Sequence, residues 1–253
     1  MKRFFIEAYG ADAEAERLAI EWLVQEGGNQ DLACAVVLPS VDSISNLERA
    51  IGRDAAESAR RDRNFILEGV EVQVFTERTR PGVFGGVLLV LWANGAMVGS
   101  TEECRPVAIC ASPWTEHDLD DWKRAYDPVD VRSGKPLGEG QIELSPLVTE
   151  ALVSLTASVN SSTGIHHPSD ARRARQLLKA LHLSGEPLDP TEIRTWALAH
   201  GWEARHAEDL AELAGKIGAG KRVRGAAMTP MEARKIVDGL HAAIDSSGSE
   251  SGA

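Results

Sequence analysis

Cysteine is scarce in this chain of 253 residues, and tyrosine scarcer: three of one, two of the other. Cys34, Cys104 and Cys110 are an odd set with no metal-ligand spacing, which excludes a disulfide framework and points to a reducing, cytoplasmic setting. No run of about eighteen apolar residues occurs, so no membrane-spanning helix is expected. The basic start MKRFFIEAYG is broken by Glu7 before an apolar segment can build up, unlike a signal peptide. Basic residues are also in deficit, 27 Lys and Arg against 38 Asp and Glu, a net charge of −11. Residues 1–128 carry −9 of that and residues 129–253 only −2, so the first half repels polyanions and any nucleic-acid contact belongs to the second.

Several motifs are missing as well. The first turn reads YGADAEAE, with one glycine where a dinucleotide-binding turn has three. No G-x-S-x-G elbow and no Cys–His pair point to a nucleophile. His166-His167 has no third ligand in phase, so no metal site is expected; the cofactor, if there is one, is unknown.

What is present is a strand–helix alternation. Phe4-Phe5-Ile6, LACAVVLP (32–39), GVLLVLWA (86–93) and PVAICA (106–111) are apolar runs, and the last three are nearly unbroken, as strands covered on both faces must be. In VEVQVF, Val70, Val72 and Val74 alternate with Glu71, Gln73 and Phe75, the pattern of a strand with one buried face, placed here at a sheet edge. Helical spacing separates these runs: ADAEAERLAIEWLVQEGG, NLERAIGRDAAESARRDR, a weaker stretch at 96–104, and TEHDLDDWKRAY. Short connections between alternating elements imply crossovers of one hand. The expected first domain, residues 1–128, is thus a three-layer, Rossmann-like or flavodoxin-like α/β unit with a mostly parallel five-stranded sheet. A Gly- and Pro-rich linker (129–144) leads to an all-helical domain (145–245) and a disordered low-complexity tail (246–253). Ser145-Pro146, Asp189-Pro190-Thr191-Glu192 and Thr229-Pro230-Met231-Glu232 read as helix starts.

GKIGAGKR (215–222) has the glycines and lysine of a phosphate-cradling loop. Such a loop follows a strand and ends in Ser or Thr; here HAEDLAEL precedes it at helical spacing and Arg222 stands at the hydroxyl position. The stretch is therefore expected to be a helix end and a basic connector. Lys216, Lys221, Arg222 and Arg224 are its candidate phosphate contacts. Nearby IRTWALAHGW (193–202) resembles, over ten residues, the helix entering the compact DNA-binding domains of actinobacterial nucleoid proteins.

In parallel sheets ligands bind beyond the carboxyl ends of the strands, where connections diverge. Those ends supply the candidate ligand residues: Tyr9 and Gly10, Ser40 and Asp42, Trp92 and Asn94, Ser112 and Trp114. With a strand order 3-2-1-4-5 the crevice lies between the first and fourth strands, walled by Tyr9 and Trp92. SPWTEHDLDDW (112–122) resembles the Ser-x-Trp-acidic stretch of TIR-type domains, which share a five-strand parallel sheet and in some members cleave NAD. There the acidic residue follows Trp by three positions; here Glu116 follows Trp114 by two. The resemblance makes Glu116 the first carboxylate to test, without bringing the activity with it.

Three functions fit these features. The leading one is a non-catalytic α/β domain binding a small, nucleotide-like ligand or a partner, with the helical domain mediating self- or partner association. An enzyme acting on a nucleotide or N-glycosidic bond would use Glu116 or Asp42 as its carboxylate. A nucleic-acid-binding protein would use the connector 216–224.

Overall fold

The computed structural model describes residues 1–138, 142–159 and 163–250, with side chains as far as 246. The chain divides into two compact units, Met1–Glu139 and Gly140–Ala253.

The first unit runs β1 (Lys2–Phe5), α1 (Ala13–Gly28), β2 (Cys34–Leu38), α2 (Ile44–Ile51), α3 (Arg53–Asp62), β3 (Asn64–Leu67), β4 (Val70–Thr76), β5 (Val87–Ala93), α4 (Gly95–Glu102), β6 (Ala108–Pro113), α5 (Asp120–Tyr126) and β7 (Val129–Asp130). The strands form one sheet in the order β3-β4-β2-β5-β6-β1-β7, parallel at every pairing except β3 with β4. The sheet therefore has seven strands rather than five. Of the two extra strands, β3 forms a hairpin with β4 across Glu68-Gly69, both left-handed, as a two-residue turn requires. That hairpin makes β3 the edge strand and moves β4 inward, although β4 keeps its alternation of buried and solvent-facing residues. The other, β7, is two residues long and falls at the start of the expected linker.

The central strands form for the reason their composition suggests. Every residue of β2 and β5 is buried. Val36, Leu38, Leu89 and Leu91 pack under α1, α2 and α3, while Ala35, Val37, Leu88 and Val90 belong to the opposite core, with α4 and Trp122 of α5. Each fully buried Val or Leu contributes about 1.5–3 kcal/mol. By contrast β1 begins with Lys2 and Arg3, which are not fully buried, and lies between β6 and β7 rather than beside β2. The order 3-2-1-4-5 is thus corrected: two charges at the start of a strand do not suit the middle of a doubly covered sheet.

NLERAIGRDAAESARRDR is two helices, α2 and α3, separated at Gly52, whose φ is +83°. All three cysteines are free and buried, and burial pushes the Cys110 thiol well up, so these thiols behave as small apolar side chains.

The described elements of the second unit are all helices: α6 (Pro146–Thr156), α7 (Pro168–Leu183), α8 (Pro190–Ala199), α9 (Ala204–Gly218) and α10 (Pro230–Glu250). Helix α7 packs on α6, α9 and α10, and α8 packs on α9. Ser145 Oγ accepts from Val148 N at 3.2 Å, and Asp189 Oδ1 from Thr191 N at 2.8 Å. Thr229 and Glu232 form a reciprocal box, Glu232 Oε2 accepting from Thr229 N at 2.7 Å and Thr229 Oγ1 from Glu232 N at 3.3 Å. Glu192, in the corresponding position after Asp189, instead accepts from Glu143 N at 2.8 Å. Helix α10 continues to Glu250, into the stretch read as a disordered tail; residues 251–253 of that tail, and 139–141 of the linker, lie outside the described residues. No described helix is long and apolar enough to cross a membrane.

Candidate functional site

After β2 the chain moves toward the β3 edge through α2 and α3; after β5 it moves toward the other edge through α4. Because β2 and β5 are neighbours, their outgoing loops part, which makes this the topological switch point of the sheet. A cavity of about 390 Å3 opens there. Pro39, Ser43 and Asn46 line it from the β2 side, Trp92 and Asn94 from β5, and Trp114, Thr115 and Asp118 from the segment after β6.

The β5 wall is unusual in its backbone. The β5–β6 register runs unbroken from Val87↔Ala108 to Val90↔Ala111 and resumes at Ala93↔Pro113, so β5 carries one extra residue. Trp92 sits in this bulge with φ +55°, left-handed and non-glycine. Such a conformation costs about 1–3 kcal/mol and concentrates where a side chain must be re-aimed toward a ligand. The cost is offset by burial, for Trp92 is only 4% exposed, and its N–H favours the ionised form of the Glu16 carboxylate of α1.

Glu16 is itself buried, 3% exposed, and its Oε1 has no hydrogen-bond partner among the described residues. Burial pushes its carboxyl above the usual carboxylate range, against the opposing pull of the Trp92 N–H and Arg49. A carboxyl whose folded pKa is raised contributes stability that is full below the unfolded value, about 4.3, and is lost as pH rises through the folded value. Glu16→Gln keeps an acceptor for Trp92 and removes the charge. It should raise stability at pH 7.5 by about 1 kcal/mol, the scale of an imperfectly paired buried oxygen, and the gain should vanish near pH 4. Urea denaturation at the two pH values measures this; a variant less stable at pH 7.5 would contradict it.

The other walls are held by local hydrogen bonds. Asn94 Oδ1 accepts from Met97 N at 2.9 Å as the cap of α4. Trp114 N donates to Ala93 O at 3.3 Å, its carbonyl accepts from Gly10 N at 2.8 Å, and its side chain is 47% exposed. Asp118 Oδ2 accepts from Thr115 N at 2.6 Å. On the β2 side the amides of Ser43, Ile44, Ser45 and Asn46 donate to the carbonyls of Ser40, Val41, Asp42 and Ser43, so the start of α2 has no amides free to cradle a phosphate.

Of the residues chosen from sequence, the fold brings Trp92, Asn94 and Trp114 to this cavity; Tyr9, Gly10, Ser40, Asp42, Ser112 and Glu116 do not line it. Ser112 is buried within β6, while Asp42 and Glu116 are exposed. Tyr9 donates to Glu7 Oε1 at 2.7 Å; that bond, with burial and the nearby charges of Glu7, Glu116 and Asp120, raises its phenol to about 12. Asn46, Thr115 and Asp118 escape the sequence reading because they lie a few residues past the strand ends, where each also fits an ordinary helix start.

In the second unit, Gly215–Gly218 is the last turn of α9. Ala219, Gly220 and Lys221 amides donate back to Gly215, Ile217 and Lys216 carbonyls, so the glycine-rich stretch closes a helix rather than a phosphate. Lys216 pairs with Glu212 at 2.7 Å. Lys221, Arg222 and Arg224, with Lys179, border a cavity of about 640 Å3. In IRTWALAHGW, Trp196 is buried and stacks on His200, while buried Trp202 donates to Thr156 Oγ1 at 2.9 Å; both indoles are packing elements. Folding also supplies what His166 lacks in sequence, bringing His206 and Asp209 of α9 beside it.

A family described as a domain of unknown function (DUF1889) matches residues 144–238, which lie in the helical unit. No curated protein and no solved structure matches the chain.

Proposed function

We propose that the first unit is a Rossmann-like, non-catalytic receptor for a small planar molecule of nucleoside type, held in the cleft between β2 and β5. The second unit would then serve as a separate all-helical association domain. One observation carries the reading: the cavity lies at the switch point of the sheet, bordered by the left-handed bulge at Trp92 and by the half-exposed indole of Trp114.

The lining favours a base over a phosphate. The half-exposed indole of Trp114 offers a stacking face, Asn46 and Asn94 are amide side chains in the lining, and the lining includes the carboxylate of Asp118 but no Lys or Arg. The cavity volume falls within the range of small-ligand sites. Neither Glu116 nor Asp42 borders it, so the two carboxylates named for an enzymatic role stand outside this cleft.

Calorimetry against a panel of nucleosides and their phosphates tests the proposal. At least one nucleoside should bind saturably, more tightly than its triphosphate. Trp114→Ala, at a half-exposed position that the core does not need, should weaken that binding by about 10- to 100-fold, the value of one base–aromatic stack. Absence of binding across the panel, or affinity untouched by Trp114→Ala, would refute it.

A further inference from the structure

We infer that His166, His206 and Asp209 form a binding site for a divalent transition-metal ion within the helical unit. His206 and Asp209 lie three residues apart on α9 and so share a face. His166 reaches them from the segment before α7. Its Nε2 is 3.0 Å from Asp209 Oδ2, His206 Nδ1 is 3.7 Å from the same oxygen, and the three donor atoms all lie within 4.8 Å of one another. Ligands held at about 2.0–2.1 Å around a tetrahedral ion stand about 3.3 Å apart, so modest adjustment seats an ion among these three atoms.

The surroundings suit a metal as well as the distances do. His206 is fully buried, while His166 and Asp209 are partly exposed, so one ligand is fixed from inside and the site is reached from solvent. His206 Nε2 lies between Glu203 Oε2 at 3.6 Å and an Arg205 guanidinium nitrogen at 3.5 Å, so Nδ1 is the ring nitrogen that faces Asp209. Gly164 lets the incoming segment lie flat on His206, where an added Cβ would stand 2.5 Å from ring atom Cγ. Two imidazoles and one carboxylate select zinc and its neighbours over calcium or magnesium, and three protein ligands leave a fourth position for water.

The competing account is a plain ion pair between His166 and Asp209. The two diverge with pH: metal uptake strengthens as the imidazoles lose their protons, whereas an ion pair weakens. The test uses tag-free full-length protein stripped with a chelator, titrated with Co2+ by visible absorption and with Zn2+ by calorimetry. One equivalent should bind, with the absorption of a four-coordinate cobalt site and affinity rising from pH 6 to 8. His166→Ala and Asp209→Asn should each weaken binding by at least about 10-fold, while His167→Ala, one residue away and bonded instead to Ser169, should not. Circular dichroism of the metal-free variants verifies that each is folded. Failure of the wild-type chain to take up either ion, or uptake indifferent to His166→Ala, would overturn the site without touching the cleft of the first unit.

Discussion

Gly86→Ala should destabilise the sheet unit by about 3–5 kcal/mol, while Gly85→Ala beside it should change stability by less than about 0.5 kcal/mol. A Cβ on Gly86 would lie 2.1 Å from the carbonyl oxygen of Ala33 and 2.8 Å from the Phe84 ring; on Gly85 it would meet nothing within 4 Å. The first obstacle is backbone and has no rotamer to yield. To make room, the chains entering β2 and β5 must separate where Val87 N donates to Ala33 O at 2.8 Å and Val107 N donates to Gly86 O at 2.9 Å. Two such bonds are worth about 1 kcal/mol each, and overpacking adds about 1–3 kcal/mol. Urea melts of the pair measure the contrast. Equal stabilities would mean that the entry to β5 shifts freely, and with it the frame that holds Trp92.

Gly164→Ala should cost the helical unit about 2–4 kcal/mol, for two reasons that add. Its φ of +52° disfavours any side chain by about 1 kcal/mol, and its Cβ would press on the buried His206 ring. Thermal or urea unfolding of the intact chain reports the loss. Chelated and Zn2+-loaded samples should differ less in the variant than in wild type, because displacement of His206 also spreads the three donor atoms. A melt like that of wild type would show that the segment before α7 can lift away from α9 without cost.

The parts of the fold legible in the sequence are those set by burial on two faces. CAVVL and VLLVLWA have nowhere to be except the middle of a covered sheet, and both are there. Strand order is a different matter, because it depends on which apolar faces meet across long stretches of chain. The charges of Lys2 and Arg3 are the one local hint that β1 lies toward the margin. NFIL, four residues beside a strongly helical run, carries too little period to register as a strand, although the Glu68-Gly69 turn that follows marks a hairpin. At the cleft, Trp92, Asn94 and Trp114 were accessible from the rule about strand ends. The left-handed backbone of Trp92 was not, since it arises from a mismatch in register between β5 and β6 that neither segment shows alone. The metal-ligand trio escaped for a related reason: His166 and His206 are forty positions apart, and only packing against α9 unites them.

The pairing of β1 with β6 has a consequence for synthesis. Lys2 finds its neighbour only when Ala108 exists, so during synthesis β1 waits for more than a hundred further residues before its hydrogen bonds with β6 can close. The layer from β3 through β4 and β2 to β5 can assemble in the meantime, with β1 joining only once β6 has been made.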